Sequence, residues 1–138
     1  MAYTPNTVVL EGFPFGAFTF TYAMTGVAQT DAAAAALAGK AIAQDTSEPG
    51  AMKLAGDGDI IVGRVYVGEN RAVEGMVTAS VARKFKERLP AASGHGISVG
   101  DRIVGAGDGL VKAAVDNTNH TMPLVIATGD DYVIAEYL

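Results

Sequence analysis

The chain has 138 residues, 49% of them hydrophobic and 18% charged, with a formal net charge of −5 and no cysteine. One domain with a real core fits that length; the acidic balance argues against a nucleic-acid-binding surface, and the missing cysteines exclude disulfides and thiolate metal sites. Alanine and 17 glycines supply much of the apolar count, so a thin core of small residues and many turns is expected.

The N-terminus lacks the basic and uninterrupted apolar regions of a signal peptide, and no run is long enough to span a bilayer, so a soluble chain is expected. Residues 1–30 differ from the rest. Val8 to Leu10 suits a short strand, and Phe13, Phe15, Phe18, Phe20 and Tyr22 follow, interrupted by Pro14 and Gly16. Four of the five phenylalanines lie here, which supports two readings: a first strand whose aromatics fill the core, or an extended arm lying on a partner. Thr30 to Lys40 has a helix signature, with Thr30 or Asp31 as cap and Gly39 as stop, but so short a helix needs packing to persist.

From Lys40 the pattern is strands separated by Gly-Asp turns. Lys40–Ala43 and Ala51–Leu54 are expected as short strands on either side of the loop Asp45–Gly50. Ile60–Val67 and Arg71–Val81 read as the longest hairpin, closed by Gly68, Glu69 and Asn70. Its second strand is expected to run on through Ala82–Leu89. That stretch sets Arg83, Lys84, Lys86 and Arg88 against Glu87 alone. Such a basic run suits a solvated edge strand or a docking strip for an acidic partner.

Ile97–Ala114, ISVGDRIVGAGDGLVKAA, organises the chain: apolar residues alternate around a turn of Gly105, Gly107, Asp108 and Gly109. Its AGDG repeats the start of Ala55–Val65. Leu124–Ala127 and Asp131–Leu138 form a last hairpin over the TGDD turn. The expected fold is all-β, a small β-sandwich, jelly-roll-like fold or open barrel of about eight strands. Residues 1–30 would supply an extended N-terminal arm or first strand, and 31–138 a single β domain.

Short catalytic and ligand motifs fail on context. Gly96 to Gly100 matches the G-x-S-x-G nucleophile elbow, but a loop precedes Ser98 and a turn follows it, where the elbow needs strand and helix. His95 and His120 lie in polar loops without metal-ligand spacing, and Ile60 to Val62 occupy the positions where calcium ligands should follow GDGD. No catalytic residue, cofactor site or metal site is expected.

The order GKAIAQD, AGDGDIIVGRV, a broad hairpin, ISVGDRIVGAGDGLVKAA and a terminal DYVIAEYL resembles the small head-decoration, or cement, proteins of tailed bacteriophages. The resemblance covers roughly Ala38 to Leu138. The basic Ala82–Leu89 segment and the aromatic N-terminus stand outside the pattern. It implies a virion structural protein, made in the host cytoplasm, that binds the outer surface of the assembled capsid. There it would cement neighbouring major capsid subunits against internal pressure, with itself as a further partner in a dimer or trimer. Nucleic acid and membrane are not expected partners. The candidate capsid contacts are Phe13, Phe15, Phe18, Phe20, Tyr22, Arg83, Lys84, Lys86 and Arg88. On the arm reading, deleting Met1 to Tyr22 abolishes capsid binding and leaves the β domain folded. The competing reading is a ligand- or carbohydrate-binding β module of a phage or bacterial surface structure.

Overall fold

The computed structural model describes residues 19–116 and 121–137. Strand β1 (Thr19–Met24) is followed by a one-turn helix α1 (Asp31–Ala35), β2 (Ala41–Gln44), β3 (Ala51–Leu54), β4 (Gly63–Arg71) and β5 (Met76–Ala82). These five strands close into a barrel in the order β1-β3-β2-β4-β5. Then come β6 (Phe85–Pro90), β7 (Ile103–Gly107), β8 (Leu110–Ala113), β9 (Leu124–Thr128) and β10 (Tyr132–Tyr137), which make a three-stranded sheet β6-β10-β9 and a β7–β8 hairpin. The all-β class is as expected. Its form is a closed barrel with a sheet and a hairpin packed on it, rather than two sheets face to face.

Two cores follow from the period-two alternation of β2. Ile42 points into the barrel with Met24, Met52, Val65, Val77 and Val81, while Ala41 and Ala43 point outward. All three consecutive residues are nonetheless buried, at 0%, 0% and 3% exposure. The outer face of β2 is covered by Phe85, Leu89, Ile103, Val111, Val125 and Val133 from the sheet and hairpin. Alanines on the barrel's outer wall let the second layer approach closely, which is where the alanine-rich composition is used. Each fully buried Val, Leu or Ile contributes about 1.5–3 kcal/mol relative to exposure.

Helix α1 carries Ala34 and Leu37, the latter just beyond its end, into the barrel core. Thr30 caps it by accepting from the Ala33 N–H at 3.1 Å, as the sequence suggests. The helix decides a departure from expectation. Gly68, Glu69 and Asn70 do not close the long hairpin but lie inside β4, paired with Ala79, Thr78 and Val77. A Cβ on Gly68 would sit 2.2 Å from the Ala34 carbonyl oxygen, so this glycine is there for the helix to rest on. The reversal falls at Ala72–Glu74, a 3-10 turn ended by Gly75 at φ 76°.

The strand expected to continue through Ala82–Leu89 is broken at Arg83–Lys84, and β6 joins β10 in the second sheet. Ala82 and Phe85 both face the outer core. Residues an odd number apart point to opposite faces of a regular strand, so the chain must bend between them. The organising stretch is a hairpin only over β7–β8, turning at Asp108 (φ 53°) and Gly109; residues 97–102 lead into it without forming a strand. Its Gly105 is a strand residue, not part of the turn.

The two AGDG segments interlock. Gly58 N–H donates to the Gly105 carbonyl and Gly105 N–H to that of Asp59, both at 2.8 Å, while Gly109 N–H donates to the Ala55 carbonyl at 3.1 Å. Lys112 pairs with Asp57 across the same seam, and Asp59 accepts from Gly56 N–H (2.9 Å) and pairs with Lys53 at 3.2 Å. The Gly56 hydrogen bond holds the Asp59 carboxyl below its ordinary range, aided by Lys53.

Asp45, just after β2, ties the barrel's rim. Its carboxylate accepts from the Ser47 hydroxyl (2.7 Å), the Thr25 hydroxyl (2.6 Å) and the Ser47 N–H (2.9 Å), and these bonds hold its pKa down to about 2. A folded-state value below the ordinary carboxylate value of about 3.9 gives stabilisation that is complete above that value. It is lost as pH falls from there towards about 2. Urea midpoints measured against pH should therefore show a shallower acid fall across that window in Asp45→Asn than in the parent.

Candidate interaction surface

Of the aromatic run, Phe13, Phe15 and Phe18 lie outside the described residues, while Phe20 and Tyr22 are in β1. Phe20, Tyr22 and Met24 share the face of β1 that meets Val81, Ala79 and Val77 of β5. Exposure falls along this row: Phe20 is 52% exposed, Tyr22 half-buried and Met24 6% exposed. The strand thus runs from an open aromatic ring at the barrel's mouth to a buried methionine. Residues 19–24 form a wall of the barrel, so an arm would have to precede Thr19. Deletion through Tyr22, offered above as a clean test of the arm, would remove part of that wall.

The basic run is divided by the bend at Arg83–Lys84. Arg83 donates from Nε to the Val62 carbonyl (2.9 Å) and from Nη1 to the Tyr22 hydroxyl (3.1 Å), joining β1, the β3–β4 connection and the end of β5. It is a structural clasp. Arg83→Ala leaves a half-buried carbonyl and hydroxyl without their charged donor, and hydrogen bonds to charged groups contribute about 1.5–3 kcal/mol. A loss of that size in the urea unfolding free energy is expected.

Lys84 places its ammonium 4.8 Å from the centre of the Tyr137 ring, and Arg88 its guanidinium 4.2 Å from that of Tyr132. Lys86 faces Glu136 across the β6–β10 ladder, and Arg88 faces Ile134, which is only 5% exposed. Lys84 and Arg88 are held by the tyrosines of β10, Lys86 lies opposite Glu136 and Arg83 is committed to the barrel, so the four do not form one uninterrupted strip. In the sequence these tyrosines stand only as members of the terminal DYVIAEYL stretch. Their pairing with Lys84 and Arg88 depends on the register of two strands more than 40 residues apart, which no local pattern reveals.

A cleft of about 350 Å³ opens beside this face, between the segment after α1, β4, β6 and the start of β10. Lys40, Arg64, Arg88, Asp131 and Tyr132 line it. Arg64 was not among the sequence candidates. Its Nε donates to the Arg88 carbonyl at 2.7 Å.

The rejected motifs have structural explanations. Ser98 opens a turn in which its N–H donates to Asp101 Oδ2 (2.9 Å) and Asp101 N–H returns to the Ser98 carbonyl (3.1 Å), with no helix after it. His95 is half-buried rather than a free loop residue: Nδ1 accepts from Ile97 N–H (2.9 Å) and Nε2 meets the Gly129 carbonyl (2.7 Å). His120 lies outside the described residues. Among the described residues no three His, Asp or Glu gather as a metal site, and no helix is long and apolar enough to cross a membrane.

What these features define is a class: an all-β domain with a closed five-stranded barrel, a second sheet on its flank and aromatic-basic surface pairs. No protein-family model matches the chain, and no curated protein matches it in sequence.

Proposed function

We propose that this chain is a virion structural protein that binds the outer surface of an assembled phage capsid and cements neighbouring major capsid subunits. The observation that carries this reading is the open ring of Phe20, 52% exposed at the barrel's mouth and directly after Phe13, Phe15 and Phe18. An exposed aromatic costs solvation that a contact recovers, and aromatic anchors dominate protein interfaces. The resemblance of Ala38–Leu138 to head-decoration proteins supplies the partner. The stretches on which that resemblance rests include β7–β8 and β10. Many copies on one shell need only modest contacts each, because a second contact by a bound copy benefits from high effective concentration.

Co-sedimentation of the purified chain with phage heads stripped of it tests the reading. Saturable binding at a fixed ratio to the major capsid protein supports it, as does greater head survival on heating. Phe20→Ser should weaken that binding while the unfolding transition stays cooperative. An absence of binding to expanded heads overturns the proposal.

The carbohydrate-binding alternative draws on Tyr132 beside the cleft. Sugar platforms need an open aromatic face, whereas Arg88 lies over Tyr132 and Lys84 over Tyr137. A glycan array is its direct test.

A further inference from the structure

We propose that the cleft beside β6 and β10 is a recognition site for an acidic side chain, a Glu or Asp carboxylate, on an extended segment of a partner protein. Three cations, Lys40, Arg64 and Arg88, line it against one acid, Asp131, on a chain whose net charge is −5. Local positive charge on an acidic molecule selects for anions.

Both guanidinium groups are oriented before any ligand arrives. Arg64 is fixed through Nε on the Arg88 carbonyl, which leaves the edge formed by its two Nη nitrogens. No described residue accepts from those nitrogens. That edge matches the two oxygens of a carboxylate in a bidentate fork. Arg88 holds its guanidinium carbon 4.2 Å from the centre of the Tyr132 ring. Gly39, at φ 83°, takes the left-handed conformation that favours glycine and brings the backbone alongside Arg64 Nη2, with which a Cβ would make an ordinary contact at 3.5 Å.

The surroundings decide which anion. A free chain terminus is captured by successive backbone N–H groups. Here Gly39 N–H is spent on the Val65 carbonyl (2.8 Å) and Lys40 N–H on that of Leu37 (3.1 Å), so the cleft offers side-chain donors instead. Lys40 already shares its charge with Asp108 at 3.8 Å, leaving the Arg64 fork as the principal donor. Pro90, on the wall beside it, suits the methylene stem of the acid.

The site does not depend on the capsid reading and is tested on the free protein. A nitrogen-15 NMR titration of the full chain with acetyl-Ala-Glu-Ala-amide should move the Gly39, Arg64 and Tyr132 signals together. Arg64→Gln should weaken that titration about tenfold, the loss expected for a charged fork. If that variant misfolds, exposed Arg88→Gln takes its place with the same expected direction. Equal shifts from the glutamine peptide, tighter binding of inorganic phosphate or of a peptide with a free terminal carboxylate, or a folded variant with unchanged binding each overturn the proposal. Capsid binding that survives this failure leaves the structural role standing, and the reverse holds equally.

Discussion

Gly105→Ala is expected to be among the most damaging single-methyl changes in the protein, lowering stability by about 3 kcal/mol. The new Cβ would lie 2.3 Å from the Gly56 carbonyl oxygen and 2.9 Å from the Ala55 Cβ. Neither neighbour is the end of a flexible side chain. The two 2.8 Å hydrogen bonds that Gly105 makes with Gly58 and Asp59 clamp the backbones on either side, so relief requires parting the β7–β8 hairpin from the barrel. Parting would uncover Ile103 and Val111, both at most 1% exposed. Gly50→Ala is the control: Gly50 has φ 77° with nothing within 4 Å, so it costs only the left-handed penalty of about 1–2 kcal/mol. Urea midpoints of the two variants decide the matter, and equal losses would mean that the interlock of the two AGDG segments contributes nothing.

A chain beginning at Ala23 is expected to lose cooperative unfolding altogether. It lacks four of the six β1 positions that pair with β5, and with Tyr22 one of the two anchors of Arg83. A closed barrel has no free edges, so removing most of one wall exposes the β5 ladder and opens the core at Val65 and Val81. A chain beginning at Thr19 keeps every described pairing and should unfold cooperatively. Circular dichroism melts and limited proteolysis of the pair distinguish these outcomes; a sharp transition at the parent temperature in the shorter chain would show that closure is dispensable. Only the Thr19 chain can then test head binding, since loss of binding by the Ala23 chain would report unfolding.

Constraints imposed by residues distant in the chain leave no mark in the local sequence. Gly105 looked like one of several turn glycines because its neighbours in sequence are Gly-rich. Its actual constraint comes from Gly56, 49 positions away. Gly68 was misplaced for the same reason: a glycine between strand residues signals a turn unless something packs on it, and α1 does. The basic run read as one strip because Arg83, Lys84, Lys86 and Arg88 are adjacent in sequence. The bend between β5 and β6 sends Arg83 to the barrel and Lys86 and Arg88 to the second sheet, with Lys84 in the bend itself and over Tyr137.

What the sequence by itself determined is whatever rests on local chemistry. The Thr30 cap, the Asp108-Gly109 turn with its positive φ angles, the hairpin over TGDD and the all-β class all follow from neighbours within a few residues. Tertiary structure alone decided the closure of β1 on β3 and β5, the burial of both faces of β2, and the meeting of Arg64, Arg88 and Tyr132 around one cleft. Those arrangements depend on strand register and on which apolar faces find each other. Both are set by the packing free energy of the whole chain, to which a local window of sequence is blind.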